Sequence, residues 1–494
     1  MTERHLRTLS ILYLLVPNLL FFFNWVNLPF KVVGILLLCY AFFTDVRYSA
    51  FSKEKVLNLR DLVIVGFASL LLTFVSGING ICYQTFDYWC HNTKFYELLS
   101  YQWPIRIPQD GPVISYYYGF YVVPVLFSKL TGTINESVIF VWTWLGFMIG
   151  VLWVYLVLNK RIFWVFLALC IGDLPHVIKS TLYKFSVKLY EFGDFGVENW
   201  SNMENLLWVP NQVIPTLIIG GILVYTLKKG LNINLVVLPV ALSFWWAIFP
   251  AFVSGLLVGI LIFLDVVKAQ FRIAWGSYLN RVAVPFLACL PILVFYLSHA
   301  ESPVSGFLWE FVSDPGNVFV EYLVNISINA ALFTAAYFCF RKLDLPSLPS
   351  LAFVILIIFT VLFPLFRLGK VNDFLFRGMM PVLIIAGMYL FYPLTVYSAK
   401  RTFEVLKTSG VSIALVVLLA SSSIIGVTRF WRAATVNQLT VKMGVNSAPF
   451  TPIPYDAYPN IYEVLKDKWS QQEANQYLGK SDSFYEKHMA PSKN

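Results

Sequence analysis

Two side chains four residues apart, Asp87 and His91, open a polar, aromatic stretch just past an apolar run. If residues 87–100 are helical the two share a face, because positions i and i+4 are neighbours on a helix. A carboxylate beside an imidazole at a membrane–water boundary suits general-base work, taking the proton of a hydroxyl while a phosphate departs. The same carboxylate can instead cap the helix it precedes, since Asp is a preferred N-cap residue. The two readings are compatible and the residues leave both open.

A second set stands in PLFRLGKVNDFLFRGMMP, between two apolar runs: Arg367, Lys370 and Arg377, with Asp373 among them. Guanidinium and ammonium groups there suit a lipid phosphate or diphosphate. The plainer reading is snorkelling toward headgroups plus an Asp373 ion pair. The segment 173–211 carries Asp173, His176, Glu198 and Glu204, and Gln212 begins the apolar run behind it. Gln212 can hydrogen-bond a substrate, or Pro210 and Gln212 simply start a helix. Tyr116, Tyr117 and Tyr118, with Trp103-Pro104, offer a stacking surface for a sugar ring, or an interfacial aromatic belt. His299, Glu301, Glu310 and Asp314 can hold a divalent cation such as Mg or Mn, or form a solvated face. No C-x-x-C or Cys/His spacing suggests zinc, and beyond that cation no cofactor is indicated. Cys82 and Cys90 flank one polar stretch and can pair as a disulfide in an oxidising compartment. A Walker A loop, H-E-x-x-H, G-x-S-x-G and an Arg-rich sensor helix are absent, which weighs against the ATP-driven pump, zinc protease and voltage sensor classes.

The elements that must position these groups are membrane spans. The chain has 494 residues, 58% hydrophobic, 17% aromatic and only 13% charged. Such a balance excludes disorder, a coiled coil and an ordinary cytosolic enzyme, and describes an all-α polytopic membrane protein. The net charge of +9 is accounted for by basic cytosolic loops that fix topology, without nucleic acid. A crossing helix needs about 20 apolar residues. Residues 6–26, 61–81, 135–158, 318–340, 347–366, 377–397 and 409–428 qualify, and 29–43, 113–128, 212–227 and 282–298 are shorter or more polar. The run 234–266 is expected to fold as two short spans at WWAIFPAF, where Pro250 favours a break. The short run 161–172 reads as a re-entrant or interfacial segment. The expectation is about thirteen transmembrane helices.

The basic stretch Met1–Arg7 places the N-terminus inside, as a retained first span with no cleavage site. Parity then puts 82–112 and 173–211 outside. Residues 1–429 form the transmembrane domain and 430–494 a small outer-face extension with helical character over 459–478, too small for an independent core. No inverted repeat is visible.

The order of these features resembles the GT-C superfamily of polytopic glycosyltransferases, most closely its bacterial members. Asp87-Tyr88-Trp89-Cys90-His91-Asn92 looks like a D-[WY]-x-x-H-N motif. Trp103-Pro104 and Tyr117-Tyr118-Gly119 look like the W-P and Y-Y-x-G elements that follow. Pro210-Asn211-Gln212 resembles a P-x-Q/H element, and Asn372-Asp373-Phe374 through Arg377 and Pro381 resembles N-D-F-x-x-R-x-x-x-P. The resemblance implies a GT-C-like fold in the inner or plasma membrane with its active site facing outward. It implies a polyprenyl-phosphate-linked sugar donor entering sideways between spans and a saccharide or lipid-linked acceptor. Asp87 would be the base, with His91 orienting it or sharing the work. Arg377, with Arg367 and Lys370, would hold the phosphate, and transfer would invert the anomeric centre. Asn92, Asp373, Gln212, His176 and Tyr117 complete the expected substrate contacts. The family's acidic pair D-D, D-E or E-D is not present; Asp87 stands alone, so no metal ligand set carries over.

On this reading Asp87 and the nearest basic group should face each other about one sugar-phosphate apart, on the order of 6–12 Å, beyond hydrogen-bond reach. A transporter or flippase of lipid-linked saccharide would instead need charges deep within the spans. A polysaccharide polymerase or ligase would use diphosphate-linked donors.

Overall fold

The first helix starts at Thr2, whose hydroxyl accepts the His5 N–H. From there the computed structural model describes residues 1–185, 199–301, 304–311, 315–369, 372–445 and 450–492. Lys370, Glu198 and Asp314 lie outside them. Helices α1 (Glu3–Asn24), α2 (Leu28–Arg47) and α3 (Leu59–Val75) run back and forth between two ends of the molecule. Contacts tell these ends apart. At one, the Met1 ammonium donates to the Leu57 carbonyl, Arg7 pairs with Asp45, Lys160 with Asp61 and Lys229 with Glu3. At the other, the Tyr485 hydroxyl donates to the Trp25 carbonyl, the Tyr83 N–H to Val436 and the Ile461 N–H to Glu97. They are called the basic end and the site end.

At the site end α4 (Tyr88–Ser100) occupies the span predicted for it. The run 113–128 does not form the expected span: its helix α5 covers only Val122–Thr131. Residues 113–121 go inward without helix, turn at Gly119, and α5 climbs back, where Lys129 donates to the Tyr101 carbonyl at the site end. The turn rests on backbone: the Gly119 N–H donates to the Trp245 carbonyl at 3.0 Å, and a Cβ on residue 119 would meet that oxygen at 2.8 Å. Only glycine permits so close an approach.

α6 (Glu136–Val157) then runs to the basic end beside α10 (Pro210–Lys228). Gly146 and Gly150 are four apart, and Cβ atoms there would meet Ile214 at 2.8 Å and Leu217 at 2.7 Å. Small residues at this spacing let helix backbones approach when no hydrophobic force distinguishes side chain from lipid. Between them α7 (Ile162–Leu169) and α8 (Leu174–Lys184) form a pair bent by 68°. α7 starts beside Lys160 at the basic end, and Gly172 behind it packs on Leu383. α9 (Asn202–Trp208) leads into α10 at the site end, with Ser201 as N-cap accepting the Glu204 N–H.

The run 234–266 folds on itself as expected, but unequally. A 3-10 turn and α11 (Val237–Ser243) make a short arm, the chain breaks at 244–247, and α12 (Ile248–Lys268) is a full span of 21 residues. Pro250 sits in the first turn of α12, where its missing N–H costs nothing. α13 (Trp275–Tyr278) continues through a π turn into α14 (Val284–Tyr296) and back to the site end. α15 (Pro315–Lys342), α16 (Ser350–Leu362), α17 (Asp373–Gly378) and α18 (Met380–Thr395) follow, then an amphipathic α19 (Ala399–Lys407) and the broken pair α20 (Gly410–Ser421) and α21 (Ser423–Thr435). The strands among the described residues are β1 (Ser305–Phe307) and β2 (Phe366–Leu368), paired antiparallel at the site end. Nine helices among the described residues are long and apolar enough to cross a membrane. The protein is an all-α, multi-pass membrane protein.

The stretch 459–478 holds two short helices, α23 (Ile461–Lys468) and α24 (Gln471–Asn475), after α22 (Gln438–Lys442). They lie on the site end. Residues 477–480 thread between two other segments: the Ser115 N–H donates to the Tyr477 carbonyl, the Ala300 N–H to Leu478, and the Lys480 N–H to Ser298. Cys82 and Cys90 are both free thiols.

Candidate functional site

Asp87 holds the N-cap position of α4, but its carboxylate makes no capping hydrogen bond. It turns to Arg377, 3.3 Å from Nη2. The expected gap of one sugar-phosphate is therefore not there: base candidate and guanidinium are in direct contact. Arg377 reaches this position from α17, where the i, i+4 spacing sets its Nη1 2.9 Å from Asp373. The turn before α17 is built to deliver both. Gly369 has φ +82°, and a Cβ there would meet the Asp373 carboxylate at 2.8 Å; Asn372 follows with φ 54°. One guanidinium thus bridges two carboxylates from different parts of the chain.

Partial burial pushes the Asp87 carboxyl above its usual range, and the Arg377 guanidinium pulls part of that shift back. A carboxylate held in this way takes a proton more readily than an exposed one.

Lys94, seven residues along α4 from Asp87, faces the same way after two turns. The sequence reading passed over it. Its ammonium is buried, stands over the rings of Tyr121, Tyr116 and Tyr117 at 4.5, 4.8 and 5.5 Å, and has no carboxylate within ion-pair distance among the described residues. Burial brings it down to about 8. The signal available in sequence was the i, i+7 spacing from Asp87 within an aromatic neighbourhood.

Tyr117 stacks on Tyr116 at 4.4 Å, and the Gln212 amide donates toward its hydroxyl at 3.4 Å. Gln212 is fully buried and its carbonyl oxygen has no partner. Both amide atoms of Asn211 and of Asn372 are likewise buried and unpaired. Such groups are rare in folded proteins, but Asn199 and Asn202 beside Ser201 also carry unpaired buried atoms, so these amides do not by themselves single out the site. A cavity of about 350 Å³ adjoins the cluster, lined by Tyr117, Asp373, His299, Glu301 and Tyr477 among others.

Other expected site residues serve elsewhere. His91 is buried, with Nδ1 2.6 Å from the Tyr121 hydroxyl and Nε2 2.7 Å from the Trp208 carbonyl. Burial holds the ring well below the usual imidazole range. A neutral imidazole engaged at both nitrogens is a strut between α4, α5 and α9, and it does not share Asp87's proton. Asn92 donates to the Ile453 carbonyl at 2.6 Å and so tethers the C-terminal extension. Arg367 is buried in its own turn, with Nε on the Gly369 carbonyl and its guanidinium over Phe311. His176 lies beside Asp173 in a second ionic cluster. There Asp173 accepts the Ser201 N–H and hydroxyl, and Arg429 pairs with Glu204 through Nε and Nη2.

The divalent cation considered for 299–314 has no set of ligands: no three His, Cys, Asp or Glu side chains come together among the described residues. Glu301 accepts from the Asn475 amide. Between Asp87 and Asp373, the place of a bridging cation is taken by Arg377.

No family model, curated protein or solved structure matches the chain.

Proposed function

We propose that this chain is a GT-C-type membrane glycosyltransferase that moves a sugar from a polyprenyl-phosphate donor to an acceptor at the outer face, with inversion. The observation that carries the proposal is the Asp87–Arg377 contact at one end of the molecule, beside a cavity that Asp373 lines. In this reading the donor phosphate opens the contact and takes Arg377. Asp87, released, accepts the proton of the acceptor hydroxyl. The acceptor oxygen bonds to the anomeric carbon, the bond from that carbon to the phosphate oxygen breaks, and the phosphate monoester leaves with the electron pair against the guanidinium. Lys94 adds a second positive charge nearby. No covalent intermediate or nucleotide enters the step.

The proposed topology is thirteen passes in the inner or plasma membrane with the site end outward. The nine long helices are joined in this count by α3, α7, α11 and α16, which are shorter but also link the two ends. The three passes from 112 to 228 are then α6, α7 and α10, with α7 in the place expected of 113–128. Charge placement favours an enzyme over a transporter or flippase. Every Asp, Glu, Lys and Arg of the nine helices lies within about two turns of a helix end. A carrier moving charged headgroups across needs them at the centre.

The test is release of polyprenyl phosphate from polyprenyl-phosphate-linked hexoses and pentoses by the protein in proteoliposomes supplied with methyl glycosides as acceptors. Asp87→Asn should abolish it while the thermal midpoint holds. Equal release by both proteins, or none by the unaltered chain with any donor, would remove the proposal.

A further inference from the structure

The cavity beside Asp373 has an unusual wall. Segment 475–480 of the C-terminal extension is inserted between 113–115 and 298–300 and hydrogen-bonded to both sides. Gly479 lies so close that a Cβ would meet the Val113 carbonyl at 2.1 Å. The insertion delivers Gln476 and Tyr477 to the cavity, opposite Tyr117 and next to His299. Tyr477 is held against Tyr116, ring centroids 4.6 Å apart.

The chemistry of this wall is selective. Among its described lining residues the charged ones are Asp373 and Glu301, and none of those described is Lys or Arg. His299 donates to the Gln476 backbone carbonyl and is held neutral by burial, down to about 4, with Nδ1 unpaired. An anion placed here would meet the Glu301 carboxylate and, at Asp373, a carboxylate already engaged by Arg377. The donor phosphate therefore belongs on the Arg377 side, and this space is left for something else. At about 350 Å³ it lies at the small end of ligand pockets, which start at about 300 Å³. Tyrosine rings with a few convergent hydroxyl, amide and imidazole groups suit a polyhydroxylated ring.

We propose that this cavity is the acceptor subsite, that residues 475–480 form its specificity wall, and that it takes a sugar ring bearing no negative charge. The inference rests on the transferase reading for the word acceptor; the binding site itself does not. Asp87→Asn protein in detergent micelles is the background, and saturation-transfer NMR is read with three probes: methyl glucoside, methyl glucosaminide and methyl glucuronide. The first two should give signal and the glucuronide none. Tyr477→Ala should reduce the glucoside signal about tenfold. Gln476→Lys should admit the glucuronide, a gain that misfolding cannot mimic. The proposal is overturned if the glucuronide binds the unaltered wall as well as the glucoside does, or if neither substitution changes any signal. Sugar binding without polyprenyl phosphate release by the unaltered chain would sink the transferase reading alone; release with no binding at this wall would sink this inference alone.

Discussion

Two buried ionic clusters sit at the same end of this protein, built from the same residue types, and they differ in how fully they are paired. In the Asp173–Ser201–Glu204–Arg429 cluster each carboxylate has both oxygens occupied, Asp173 by one serine and Glu204 by one guanidinium. In the Asp87–Arg377–Asp373 cluster the contacts are single and the Asp373 oxygen nearest Arg377 lacks hydrogen-bond geometry. A buried charge cluster that is fully satisfied rigidifies a fold. One left short of partners at a cavity mouth has capacity for a ligand.

Removing one charge from each should separate them. Asp87→Asn should cost turnover on the order of 10²–10⁴-fold, the usual weight of a general base, with little change in thermal midpoint. Glu204→Gln strands Arg429 and should cost about 3–5 kcal/mol of stability, while turnover per folded molecule holds. The comparison breaks if thermal melts and per-molecule rates show the reverse assignment.

A smaller effect should sharpen it. Lys94→Met removes a positive charge that favours ionised Asp87. The alkaline-rising limb of the pH–rate profile should then move up by about one unit. An unmoved limb would make Lys94 a packing residue. The same substitution should leave the Glu204 cluster's stability contribution unchanged.

The smallest expected effect concerns the clasp between α4 and the extension. Glu97 accepts the Ile461 N–H and the Tyr118 hydroxyl, and burial raises it to about 8. A carboxyl raised in the fold binds its proton more tightly than in the unfolded chain. Its contribution is complete below the ordinary Glu range and is lost as pH rises through about 8. Protease resistance of the extension should fall across that window, and Glu97→Gln should flatten the change. An unchanged slope in the variant would assign the effect to another group.

Much of this was legible in sequence because it is local. The helix behind Asp87, the fold-back of 234–266 and the proximity of Asp373 to Arg377 follow from spacing and hydropathy. What escaped is long-range. The run 113–128 has the composition of a span, but Gly119 meeting Trp245 makes it a dip, and no window of neighbours contains that contact. Residues 161–172 fold as α7 and a non-helical stretch that ends at Asp173, and the 68° bend to α8 is not visible in a hydropathy window. His91 reads as a catalytic neighbour at i+4, and only the positions of Tyr121 and Trp208 turn it into a strut. Asp87 reads equally as a cap, until Arg377 arrives from 290 residues away.

The threading of residues 475–480 has a consequence for how the protein is made. Those residues leave the ribosome after every membrane helix described above has been synthesised, and the cavity is missing a wall until they dock. The unfinished chain can hold Arg377 and its two carboxylates in place with no finished pocket beside them. Competence would therefore switch on late, at a single docking step, and a nascent chain stalled before residue 475 would sit in the membrane inserted but silent.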